Sequence, residues 1–124
     1  MHLSIQKLLV LAPLVVACGA TFPAPTQRLA DAQSSEHSAR ELKAEDQPAA
    51  KLSLKLAQEQ IGQAQRAIAD GDNKRADGLL IRAKADADLS IAQAREANAK
   101  VESQKAVDDM ATQKSTNQGQ GAVK

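Results

Sequence analysis

Residues 48–101, PAAKLSLKLAQEQIGQAQRAIADGDNKRADGLLIRAKADADLSIAQAREANAKV, decide the fold of this 124-residue chain. Small and apolar residues recur along the stretch at alternating intervals of four and three. In the first part they are Ala50, Leu54, Ala57, Ile61, Ala64 and Ile68. In the second part they are Ala76, Leu80, Ala83, Ala87, Ser90, Ala94, Ala97 and Val101. This alternation is a heptad seam, so the sequence predicts two helices that pack along one stripe each.

A turn signal separates the two halves of the seam. Gly71 can adopt the left-handed conformation that closes a helix, and Asp72 can cap the next one. Helices joined by so short a connection run antiparallel. The stretch therefore predicts an alanine-rich helical hairpin with its turn at Gly71 and Asp72.

A shorter helix is expected before the hairpin, which makes the fold class all-α with three helices. Thr26 is its predicted N-cap and Lys43 its approximate end. Its apolar face is Leu29, Ala32, Ala39 and Leu42. Pro48 then suits the first turn of the second helix, where its missing N–H costs nothing. The helical domain is predicted over residues 26–111, with a disordered tail over 112–124.

The third helix, predicted to run to about Met110, carries a second apolar line on a different side from its seam. The members of this line are Ile81, Ala85, Leu89, Ala92 and Ala99. Because one partner helix cannot cover both stripes, we expect the first helix or another protein to cover the second. Because the two helices are antiparallel, the end of the third helix is expected to extend past the start of the second by about fifteen residues. The first helix either lies in line with the second or folds back into a bundle.

The composition excludes several function classes. The chain has one Phe and neither Trp nor Tyr, which argues against base stacking and aromatic ligand pockets. His37 is the only histidine after residue 17, so neither a His/Cys metal cluster nor a catalytic base-nucleophile pair can be assembled. We expect no enzyme activity, no cofactor, no metal, no small-molecule substrate and no nucleic-acid partner.

Residues 1–17 have secretory-signal architecture, with a short n-region ending at Lys7 and a nine-residue run that is apolar except for Pro13 and too short to span a bilayer. Val15, Val16 and Ala17 before Cys18 resemble the lipobox of bacterial lipoproteins. The resemblance implies that Cys18 is lipidated and becomes the mature N-terminus. Residues 18–25 are predicted to be an extended tether, because Pro23 and Pro25 disfavour helix. The alternative is an ordinary signal peptide with an incidental cysteine. Removing residues 1–17 leaves a net charge of zero.

The far end of the chain is similar in outline to the murein lipoproteins, which join a lipidated cysteine to an alanine-rich helix and to peptidoglycan through a C-terminal lysine. This chain shares Lys124 and the segment 108–112. It departs from them in Pro48 and Gly71, which interrupt the helix. Because Lys124 corresponds to the lysine that joins those proteins to peptidoglycan, the resemblance makes it the candidate for wall attachment.

A closer resemblance is to the bacterial family called domain of unknown function 4398, over about residues 24–106. The matching residues are Pro25, Leu29, Ala32, Ala39, Ala57, Ile61, Ala64, Ala67, Gly71, Asp72, Ala76, Leu80, Ala83, Ala87 and Ala94. The resemblance implies a short exported helical lipoprotein and supplies no activity.

The function expected from these features is a non-catalytic envelope lipoprotein that faces the periplasm as an interaction or spacer module. Gly19 after the cysteine, by resemblance to the usual sorting signal, favours the outer membrane. The expected partners are the membrane, through the lipid, and another envelope protein, peptidoglycan or a second copy of the chain.

Overall fold

The computed structural model describes residues 21–121, and over this range the chain forms three α-helices and no strand. Helix α1 is Thr26–Glu41, α2 is Pro48–Ala69 and α3 is Asn73–Gly121, with a short 3-10 turn at Ala44–Asp46 between α1 and α2. The predicted all-α class, with a helical hairpin after a shorter helix, is confirmed.

The predicted seam forms the contact between α2 and α3. Leu80 is 1% exposed and the seam alanines from Ala50 to Ala94 are fully buried. The one polar member, Ser90, is also fully buried. Alanine lets two helices approach near the lower end of the usual range of about 8 to 10 Å between axes. The seam ends at the half-buried Ala97, since Val101 is 64% exposed.

Helix α1 folds back beside the hairpin and makes a three-helix bundle. Its first half packs beside the α2–α3 turn, where Ala32 joins Ile61 and Leu80 in one core cluster. Its second half packs at the other end, where Ala39 joins Leu54 in a second cluster. Helix α1 therefore runs antiparallel to α2 and parallel to α3, which decides between the two arrangements that the sequence left open.

The boundaries of α1 differ slightly from the prediction. Pro25 occupies the N-cap position, and its carbonyl oxygen accepts a 3.0 Å hydrogen bond from the Leu29 amide, so Thr26 is the first helical residue and not the cap. The helix ends at Glu41, because Lys43 adopts a left-handed conformation with φ of 56° that turns the chain towards α2.

The second apolar line of α3 is not covered by α1, which removes one of the two covers that the sequence allowed and leaves another protein as the expected one. Ile81 is 50% exposed and Leu89 is 48% exposed. At 100° per residue the centre of this line lies almost opposite the buried seam. Ile81 lines a small cavity with Arg28 and Asp31, so α1 borders the line without covering it. The seam itself is buried inside the molecule, and it is therefore not free to cover this line in a second copy.

Helix α3 projects beyond the bundle. Every residue from 101 to 119 is exposed, and the helix continues through Gly121. This corrects the disorder expected of residues 112–121, and the rest of the predicted tail, residues 122–124, lies outside the described part of the chain. Residues 101–118 contain no proline or glycine, so nothing interrupts the backbone hydrogen bonds of the helix before Gly119. The projection of 21 residues adds about 30 Å to the bundle.

Candidate functional site

Most residues of the predicted attachment sites lie outside the described part of the chain. They are Val15, Val16, Ala17 and Cys18 at one end and Lys124 at the other. Their assignments remain predictions. The structure does describe Gly71 and Asp72, and it describes the residues that follow Cys18 from Thr21 on.

Gly71 and Asp72 form the turn between α2 and α3. Gly71 has a φ of 77°, and its amide donates a 3.0 Å hydrogen bond to the carbonyl oxygen of Ile68. The Asp72 amide donates to the Ala67 carbonyl oxygen at 2.8 Å. These two bonds are the Schellman arrangement that ends a helix at a left-handed residue. The Asp72 carboxylate then accepts a 3.2 Å bond from the Arg75 amide and caps α3.

The N-terminal segment is held at this same end of the bundle. The Asn73 side-chain amide donates a 2.8 Å hydrogen bond to the backbone carbonyl oxygen of Phe22. Pro25 is buried, and the Arg28 guanidinium pairs with the Asp77 carboxylate at 2.5 Å. Together these contacts fasten the start of α1 to the start of α3.

The position of this fastening gives the molecule two distinct ends. The segment that follows Cys18 meets the bundle beside the α2–α3 turn, and α3 runs from that turn to Gly121. Forty-nine residues of α-helix span about 74 Å. Sequence reasoning missed the contact between Asn73 and Phe22, because a lone asparagine at a helix start predicts capping and not a bond across 51 residues.

Polar contacts set the register between α2 and α3. The buried Ser90 hydroxyl donates a 2.8 Å bond to the Ala50 carbonyl oxygen. The buried Ser53 hydroxyl donates to the side-chain oxygen of the partly buried Gln93 at 3.0 Å. Each bond joins a residue of α2 to a residue of α3. A slide of one helix along the other by one turn, about 5.4 Å, would therefore break both bonds.

The exposed surface of α3 alternates charged and apolar residues. Burial raises the pKa of Asp88, but hydrogen bonds from Lys84 and Ser35 and the Lys84 charge outweigh it, so the pKa of that carboxyl is lowered overall. The pKa of Glu96 is lowered by a hydrogen bond from Lys100 and by its charge. The half-exposed Ile81 precedes the first of these pairs and Leu89 lies between the two, with the exposed Val107 and Met110 farther along.

Among residues 21–121 no set of side chains is assembled that suits catalysis or metal binding. His37 is exposed and lies 3.4 Å from Glu41, one turn along the same helix. No cluster of three or more metal-binding side chains occurs in the described range. A cavity of about 400 Å³ opens between α1 and α2, lined by Arg40, Glu45, Lys51 and Lys55 over Leu54 and Gln58.

None of the three described helices combines the length and the apolar character that crossing a bilayer requires.

Comparison with known proteins agrees with the resemblance found in the sequence. No curated protein and no solved structure matches the chain. The model of one family, Domain of unknown function (DUF4398), matches residues 27–106, which is more than half of the chain and covers α1, α2 and the part of α3 that packs in the bundle. The chain therefore belongs to the DUF4398 family.

Proposed function

We propose that the protein is a non-catalytic bacterial envelope lipoprotein, anchored through acylated Cys18, whose helices form a spacer and interaction module facing the periplasm. The run Val15, Val16, Ala17 and Cys18 supports the anchor, because a small residue before a lone cysteine after an apolar stretch is typical of lipoprotein signals. Gly19 favours the outer membrane.

The observation that carries the spacer role is the position of Phe22 at the α2–α3 turn. The hydrogen bond from Asn73 places the start of the described chain at one end of the bundle, while α3 leads away from it. A lipid on Cys18 would thus lie at one end of a rod about 74 Å long. A spacer needs this separation between its attachment and its free end.

The interaction role is supported by the uncovered face of α3. Ile81 and Leu89 are half exposed on a helix face that neither α1 nor α2 covers. The mature chain has no net charge, which gives no general attraction to nucleic acid or acidic lipid. We therefore assign recognition to another envelope protein or a second copy and none to nucleic acid or a small-molecule substrate.

The proposed anchor is tested by membrane fractionation of cells expressing the full chain. Cys18→Ser removes the acylated sulfur, so this variant is expected to leave the membrane fraction, because the acyl chains contribute about 0.8 kcal/mol per buried CH₂. Ala20→Ser makes a similarly small change two residues away and should stay membrane-bound in the outer-membrane fraction. Equal membrane retention of the Cys18→Ser variant would refute the anchor.

A second candidate function is a peptidoglycan-linked tether through Lys124. The observation that favours it is the direction of α3, which carries the chain away from the end where Phe22 is held. Muropeptide analysis of digested cell walls should then find a remnant that disappears in Lys124→Arg and persists in Lys114→Arg. Absence of any remnant from the unaltered chain would remove this candidate.

A further inference from the structure

The end of the bundle that holds the α2–α3 turn has a distinct surface, which we call the tip. Phe22, the sole aromatic residue of the chain, is 46% exposed there. It lies beside Asn73 through the 2.8 Å hydrogen bond to its carbonyl oxygen. The exposed residues next to Asn73 in the chain, in the turn and the first turn of α3, are Asp70, Gly71, Asp72, Lys74 and Arg75.

The length of chain between Cys18 and the tip limits how far the tip can be from an anchor. Cys18 precedes Phe22 by four residues, and four fully extended residues span at most about 14 Å. The acyl chains of a lipidated cysteine must lie in the hydrocarbon core, which keeps the cysteine itself at the level of the headgroups. The tip is then within about 14 Å of the bilayer surface.

The chemistry of the tip suits this position. Phe22 offers an apolar ring of the kind that enters the boundary between headgroups and acyl chains. Lys74 and Arg75 have long side chains that reach phosphate groups, whereas Asp70 and Asp72 cancel their charge, so attachment depends on the lipid and not on acidic headgroups. Resting on the proposed lipidation of Cys18, we infer that the tip contacts the phospholipid headgroups and that α3 stands away from the bilayer.

The rest of the molecule gives no reason for the rod to lie flat. A helix that lies in the interface has a broad apolar face opposite a charged one. The uncovered line of α3 is narrow, and Lys84, Asp88 and Glu96 interrupt or border it. The two exposed leucines of α2, Leu52 and Leu56, lie on a different helix.

The test measures which residues approach the lipid. The full lipidated chain is reconstituted in phosphatidylcholine vesicles that carry a fluorescence quencher attached to the lipid, with a small fluorophore on one introduced cysteine. Lipidation blocks the thiol of Cys18, so only the new cysteine is labelled. Lys74→Cys and Arg75→Cys report on the tip. Glu45→Cys reports on the opposite end of the bundle, about 30 Å away, and Met110→Cys on the projection, about 55 Å away.

The expected result is that the quencher lowers the fluorescence of labels at residues 74 and 75. It should lower that of a label at residue 45 only slightly and leave that of a label at residue 110 unchanged. Equal quenching at all four positions, or the strongest at residue 110, would overturn the inference while leaving the anchor in place. A chain that does not float with the vesicles, and whose unaltered form takes up the label at Cys18, would refute the proposed function and this inference with it.

Discussion

The hydroxyl of Ser90 donates a 2.8 Å hydrogen bond to the backbone carbonyl oxygen of Ala50, in the fully buried contact between α3 and α2. Serine differs from alanine by one oxygen atom, so it keeps the close approach of the helices and adds one directional bond. The pair joins the start of α2 to the middle of α3 and fixes how far one helix has slid along the other.

Replacing Ser90 with alanine is expected to lower the free energy of unfolding by about 1 kcal/mol. The cost is moderate because the Ala50 carbonyl oxygen keeps its bond within α2. Urea unfolding followed by circular dichroism measures it, since the chain has no Trp or Tyr to report by fluorescence. Ser115→Ala, which removes an exposed hydroxyl from the projection of α3, is the control and should leave stability unchanged.

Replacing Leu80 with alanine should be far more costly. Leu80 is 1% exposed and lies among Ala32, Ile61 and Ala83, so its truncation leaves a cavity that small neighbours cannot fill. We expect a loss of about 2 to 5 kcal/mol in the free energy of unfolding. The matched control is Leu52→Ala, which removes the same atoms from a side chain that is 62% exposed. Its effect should stay within about 0.5 kcal/mol, and equal effects at the two sites would contradict the packing described.

Two glycine substitutions are expected to change stability in opposite directions. Gly71→Ala places a β-carbon on a residue with φ of 77°, and the left-handed conformation costs roughly 1 to 2 kcal/mol for an L-residue. At Gly78, inside α3, an added β-carbon meets no atom within 4 Å. Gly78→Ala should therefore stabilise the protein by about 1 kcal/mol. Thermal unfolding should show a lower melting temperature for Gly71→Ala and a higher one for Gly78→Ala. A lower melting temperature for Gly78→Ala would show that this position is crowded.

The carboxyl of Asp88 should titrate below its ordinary pKa of 3.8, although burial opposes this, because Lys84 and Ser35 stabilise its ionised form. A lowered pKa in the folded state means that the resulting stabilisation is present above the pKa of the unfolded chain. It is lost as the pH falls through the pKa of the folded state. Nuclear magnetic resonance titration of Asp88 should show its pKa rise in Lys84→Gln, and Lys55→Gln on α2 should leave it in place. An unchanged pKa in the first variant would contradict the pairing.

Sequence periodicity was sufficient for the hairpin because the seam alternates without interruption within each helix, from Ala50 to Ile68 and from Ala76 to Ala97. Gly71 lies in the gap between the two runs. The orientation of α1 was not predictable, since its buried residues, Ala32 and Ala39, are small and seven positions apart. Such a face fits an in-line helix as well as a folded-back one.

The candidate site was predictable in part, for a similar reason. The turn at Gly71 and Asp72 is a local pattern that needs no tertiary structure to be recognised, and the structure forms it. The lipobox-like run before Cys18 is also local, and its role stays a prediction. The fastening of Phe22 to Asn73 depends on how α1 folds back onto α3, which no local pattern encodes. The second apolar line of α3 was visible in the sequence, which predicted that either α1 or another protein covers it. Helix α1 does not cover it, because α1 packs on the side of α3 that bears Asp77 and Asp88.

The measurement that tests the proposed lipidation of Cys18 most directly is mass spectrometry of the N-terminal peptide of the mature protein, isolated from membranes. The account predicts a chain that begins at Cys18 and carries the added mass of a diacylglycerol and, on the outer-membrane route, an amide-linked fatty acid. A mature chain with an unmodified N-terminus, or one in which Cys18 retains a free thiol, would contradict it.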